Sequence, residues 1–170
     1  VALRSAPSDK ITSQQIRPIR NVSEIQAKKM TKFDDHTYLF DFGQNMSGVT
    51  KVRLQGIEGT EVRIKHAERL KEDGRADLSN IDVYYRGDKE NDPFQTDILI
   101  LSGKKEDEFM ARFNYKGFRY VEVTADNPIS IDKENITAYF MHSDVPAVGK
   151  IESSNDIINK LWWVTNNAYL

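Results

Sequence analysis

The sequence predicts an all-β fold, an antiparallel sandwich or barrel, with one helix at its C-terminal end. Three observations carry this. Apolar residues recur with a period of two in short segments spaced about 8–12 residues apart. Glycine, Asp-Gly and Asn-Pro signals separate those segments. Over residues 151–170 the period changes to that of an amphipathic helix.

The elements follow in order. Residues 1–15 are weakly patterned and read as a linker or N-terminal edge segment. Residues 16–25 contain Pro18 and suit an edge strand. Thr37 to Phe42 reads as a strand, and residues 43–48, bracketed by Gly43 and Gly48, as a turn. Beyond it Val49, Lys51 and Arg53 point one way and Thr50, Val52 and Leu54 the other. Gly56 and Gly59 mark the next turn, and residues 61–67 alternate strictly, with Val62, Ile64 and His66 on one face. Residues 71–94, opened by an Asp73-Gly74 turn, read as a long loop, a feature usually functional or packed on a neighbour. Strands are expected again at 95–101, 108–114, 118–124 and 136–142, with turns at 102–104, 115–117 and 126–128. The sandwich is therefore placed at residues 16–150.

In the final segment Ser153 or Ser154 can cap a helix. Ile157, Ile158, Leu161, Trp162, Thr165, Ala168 and Tyr169 then share one face. The stripe is still running at Leu170, so residues 151–170 read as the unfinished first helix of a following domain. An apolar face of this kind needs a partner. It is expected to dock on its own sandwich or on a second copy of the chain, giving a homodimer.

Composition excludes several classes. The 170 residues hold 24 basic and 26 acidic side chains, a net charge of −2, with no basic excess to neutralise nucleic-acid phosphates. There is no cysteine, so neither a disulfide framework nor thiolate chemistry is available. No apolar run approaches the ~20 residues of a membrane span.

The chemistry-bearing groups are ambiguous on their own. Glycoside hydrolysis needs two carboxyl groups about 5–9.5 Å apart, and Asp41, Glu61, Glu68, Asp73, Asp77 and Asp82 lie nearest turns or the long loop. Most acids in any chain are solvated surface charges. His36, His66 and His142 match no zinc spacing, and His66, on an apolar strand face, suits a satisfied core histidine. No cofactor is implied. Calcium is conceivable at Asp73, Asp77 and Asp82, although the EF-hand spacing is absent. Phe42, Phe113, Tyr115, Phe118, Tyr120, Trp162 and Trp163 would suit either core packing or a sugar-stacking platform. The densest cluster of special residues is Asp41 to Gly48, where Gln44 and Asn45 offer amides that can satisfy a tight turn or meet a ligand.

That cluster opens a resemblance. Phe40-Asp41-Phe42-Gly43-Gln44-Asn45-Met46-Ser47-Gly48 resembles the "FDFGQNxxG" signature of bacterial α-L-rhamnosidases, glycoside hydrolase family 78. Gly59-Thr60-Glu61-Val62, His66-Ala67-Glu68-Arg69-Leu70 and Asp73-Gly74 are similar to its "GTxV…HAExL…DG" stretch. Thr96-Asp97 to Gly103, Phe113 to Val123, and His142-Ser143-Asp144 with Gly149 to Asn155 continue the match in order. The resemblance implies a concanavalin-like, jelly-roll β-sandwich that precedes a catalytic (α/α)6 barrel. It places the inverting acid and base in that barrel, so no catalytic residue is expected here. Substrate-contact candidates are Gln44, Asn45, His66, Glu68 and Arg119. The implied partners are the rest of a rhamnosidase and, through it, rhamnoside glycans. A periplasmic or extracellular parent is favoured over a cytoplasmic one. The competing reading is a carbohydrate-binding module that itself holds rhamnose-containing glycans, which requires exposed aromatics and polar groups converging on one sandwich face.

Overall fold

The computed structural model describes residues 10–88, 90–91 and 93–170. Most of the expected linker at 1–15 thus lies outside the described residues. Among the described residues eleven strands and one α-helix are seen in order: β1 Ile19–Gln26, β2 Lys29–Lys32, β3 Thr37–Gly56, β4 Glu61–Ala67, β5 Arg69–Leu70, β6 Ala76–Asp77, β7 Thr96–Ile100, β8 Asp107–Met110, β9 Lys116–Ala125, β10 Ile129–Ser130, β11 Ile136–Ser143 and α1 Asp156–Tyr169. All pairings are antiparallel.

β3 organises the molecule. Its first half lies between β2 and β9, and β9 continues the sheet to β4 and β7. Its second half lies between β11 and β8, with β1 beyond β11 and β10 against the final residues. One strand therefore serves both layers of a curled antiparallel sandwich. Tyr38, Phe40, Phe42, Met46, Val52 and Leu54 of β3 enter a single core with Val62, Ile64, Phe118, Val121 and Val123 from the first layer and Ile136, Ala138 and Phe140 from the second. Phe40, Phe42 and Phe118 are fully buried, each contributing ~1.5–3 kcal/mol of hydrophobic stabilisation.

The turn expected at 43–48 is instead part of this strand. The β3–β9 register slips between Asp41↔Tyr120 and Met46↔Phe118. Residues 42–45 bulge there, with Gly43 at φ +81°, and the extra residues bend the strand from one layer into the next. Glycine, amide and serine content signals a turn, but it serves equally for a bulge in which pairing resumes.

The loop expected at 71–94 is also more ordered than its sequence indicates. β5 and β6 form a small hairpin around the Asp73-Gly74 turn, and Asp82–Tyr84 forms a 3-10 turn. Leu70 and Leu78, beside buried Ala76, pack with Leu39, Ala67 and Tyr120 on the outer face of the first layer. β8 is shorter than expected, and β9 begins at Lys116, inside the expected turn at 115–117.

α1 is capped by Asn155, whose side chain accepts from Ile157 N at 2.9 Å, and not by Ser153 or Ser154. Ser153 supports the cap by accepting from Asn155 N at 3.2 Å. No residue of α1 is buried. The expected docking on its own sandwich is thus corrected: Leu161 is 64 % exposed, and the helix meets the corner of β3 near its C-terminal end. There Asn167 Nδ2 donates to Asn45 O at 3.3 Å.

Candidate functional site

The bend in β3 gathers most of the residues singled out by sequence. Asp41 accepts twice from Arg119, at 2.8 and 2.9 Å, and once from Gly43 N at 2.7 Å. The Arg119 guanidinium, aided by that N–H, holds the Asp41 carboxyl below the usual range despite its partial burial. Arg119 also lies over the Tyr120 ring, 4.8 Å from its centroid. Asn45 donates to Glu68 Oε1 at 3.1 Å, and Ser47 Oγ donates to Met141 O at 2.5 Å. A cleft of about 340 Å³ between this corner and the end of α1 is lined by Asn45, Glu68, Gly117 and Asn167 among others. Gln44 sits in the same bulge, half-buried.

His66 stands apart from these four. It lies fully buried beneath the corner, edge-on to Phe118 at 4.9 Å. Nδ1 faces the Gln95 carbonyl at 3.3 Å and Nε2 faces Thr50 Oγ1 at 2.9 Å. The carbonyl can only accept, so Nδ1 carries the proton and the threonine hydroxyl donates to Nε2. Both nitrogens are satisfied internally, leaving neither to reach a ligand.

Burial first, and then the charge of Lys116, push the His66 pKa down to about 4, against an opposing pull from Asp97. In the unfolded chain it titrates near 6.5. Between those values the unfolded state binds the extra proton, so stability falls as pH drops through that window. The loss is expected to reach about 3 kcal/mol near pH 4. Urea unfolding midpoints measured across this range should show the slope, and His66→Gln should abolish it. An unchanged slope in the variant would assign the proton to another group.

Sequence inspection missed a second buried unit. Lys116 is only 8 % exposed, and its Nζ donates to Asp97 at 2.7 Å and to Asn114 Oδ1 at 2.9 Å. Beside it Gln95, the one non-glycine residue with positive φ (56°) among the described residues, donates to Gly117 O at 3.1 Å and receives the His66 N–H at 2.8 Å. A lysine between tyrosine and glycine reads as a surface turn, and nothing local signals its burial. Of the other acids near turns, Glu61 pairs with Arg63, Asp77 with Arg69 and Asp73 accepts from Arg75 N, while Asp82 opens the 3-10 turn. Among the described residues no group of three or more metal-ligating side chains is gathered to hold an ion.

Residues 31–142, which contain the corner, His66, Glu68 and Arg119, match the family model of the bacterial alpha-L-rhamnosidase concanavalin-like domain. The chain belongs to this family. An alpha-L-rhamnosidase of Streptomyces avermitilis is 34 % identical over 164 residues, 95 % of this chain and 15 % of that protein. The crystal structure of the Streptomyces avermitilis alpha-L-rhamnosidase complexed with L-rhamnose superimposes with a TM-score of 0.77 at 33 % identity, over 94 % of this chain and 15 % of that one. That of the Dictyoglumus thermophilum enzyme gives 0.73 at 35 % identity, over 87 % and 16 %. The chain thus spans about a sixth of the length of these relatives or less.

Proposed function

We propose that this concanavalin-like domain is the non-catalytic accessory module of a larger α-L-rhamnosidase. In this reading an inverting acid and base in a helical catalytic barrel outside the sandwich cleave terminal α-L-rhamnosides. The sandwich buttresses that barrel through its β3 corner and α1. The observation that carries the reading is α1 itself. It leaves the sandwich with Ile157, Leu161 and Tyr169 largely exposed, an apolar face suited to continuing into a helical neighbour. The carboxylates at the corner support it too, since Asp41 and Glu68 are both held by side chains of the same fold.

The test is rhamnose release from an aryl α-L-rhamnoside. The isolated chain should release none, and the parent should be active. Release by the chain alone would overturn the assignment. Sedimentation of the isolated chain decides whether a second copy covers α1, with a dimer dispersed by Leu161→Asp as the signature.

A further inference from the structure

An open groove of about 840 Å³ runs along the side of the second layer away from the core. Val49 and Lys51 of β3 and Met141 of β11 line one side; β8 and the residues following it line the other. Over it stands Phe113, fully exposed. Next to it, Asn114 Oδ1 accepts from the buried Lys116, itself tied to Asp97. The fully exposed ring itself is not held by packing within the chain.

The lining suggests what would cover it. Lys51 is paired with Glu108 at 2.9 Å and Asp97 with Lys116, so among the described residues Arg112 alone brings an unpaired charge to the groove. A nucleic acid would require several unpaired cations, and the core of a protein interface would be depleted of charge. Here one apolar ring is flanked by the amides of Asn21 and Asn114 and the guanidinium of Arg112. Planar groups of this kind can each serve two neighbouring hydroxyls.

We propose that this groove is a non-catalytic binding site for a rhamnose-bearing glycan, with Phe113 stacked on the apolar face of a 6-deoxy sugar and Asn21, Arg112 and Asn114 bonding its hydroxyls. The identity of the sugar rests on the accessory-module reading; the position of the site does not.

The test is an amide NMR titration of the 170-residue chain with neohesperidose, a neutral disaccharide of rhamnose on glucose. Saturable shifts at millimolar sugar are expected at Asn21, Lys51 and residues 109–114. Phe113→Ala should weaken binding about tenfold or more while leaving core signals unmoved, since the ring packs on nothing in the chain. Absence of shifts, shifts centred elsewhere, or equal affinity in the variant would overturn the proposal. So would a silent titration together with a Phe113→Ala parent whose neighbouring domain comes loose, which would make the groove a domain interface. None of these outcomes bears on rhamnose release by the parent, so the two readings fail separately.

Discussion

Replacing Gly48 with alanine is expected to cost about 4 kcal/mol or more, or to prevent folding outright. Gly48 lies where β3 passes between its two long partners, paired with Lys116 on one side and Phe140 on the other. A Cβ there would stand 2.0 Å from the carbonyl oxygen of Tyr139 and 3.0 Å from its carbon. Both are backbone atoms of β11, next to a rung of the ladder, so neither can retreat without breaking pairing. Gly43 supplies the contrast. Its φ of +81° disfavours a side chain, but a Cβ there would meet only the flexible end of Lys28. Gly43→Ala should therefore cost only about 1–2 kcal/mol. Urea unfolding of both variants separates backbone collision from backbone strain. Equal stabilities would refute the collision argument.

Glu122→Ala is expected to cost about 3 kcal/mol. The Glu122 side chain is 1 % exposed on the outer face of β9. It accepts from Arg75 Nε at 2.8 Å, Arg75 Nη2 at 3.2 Å, Ala76 N at 2.9 Å and Lys65 Nζ at 3.3 Å. Burial alone would raise its pKa. The bonds from Arg75 and the Ala76 N–H, with the charge of Lys65, outweigh burial and hold it below the ordinary value of 4.5. This carboxylate anchors the β5–β6 hairpin to the first layer. In the alanine variant Arg75 and Lys65 can turn to solvent, whereas the Ala76 N–H is left buried without an acceptor. The pH sign follows from the depressed value. The stabilisation is complete above the unfolded pKa near 4.5 and is lost as pH falls through the folded one. Its acid limb thus begins about where that of His66 ends, and Glu122→Gln should flatten only the lower limb. Proteolysis within residues 69–78 should accelerate in the alanine variant. Unchanged cleavage there would show that the hairpin has another anchor.

Much of the sandwich was legible because alternation reports burial directly. Val62, Ile64 and His66 share the face that sequence periodicity gave them. What escaped inspection was governed by distant partners. The bulge at 42–45 carries turn residues, and only the return of pairing with β9 at Met46 and with β11 from Gly48 makes it part of a strand. The 71–94 stretch lacks periodicity because its order comes from distant partners: Glu122 on β9 holds Arg75 and Ala76, and Leu78 packs with Leu39, Ala67 and Tyr120. Lys116 and Asp97 look like surface charges until the fold closes over both. The corner was visible as a cluster of special residues, but that Arg119 would grip Asp41 across 78 positions was not.

The length of β3 has a topological meaning. Because one unbroken strand of twenty residues passes from one layer into the other, neither layer is a separable half. A chain break anywhere between Thr37 and Gly56 removes a ladder from the core of the assembly, and no permutation through this segment leaves one intact sheet to template the other. Whatever larger protein carries this module must inherit it whole.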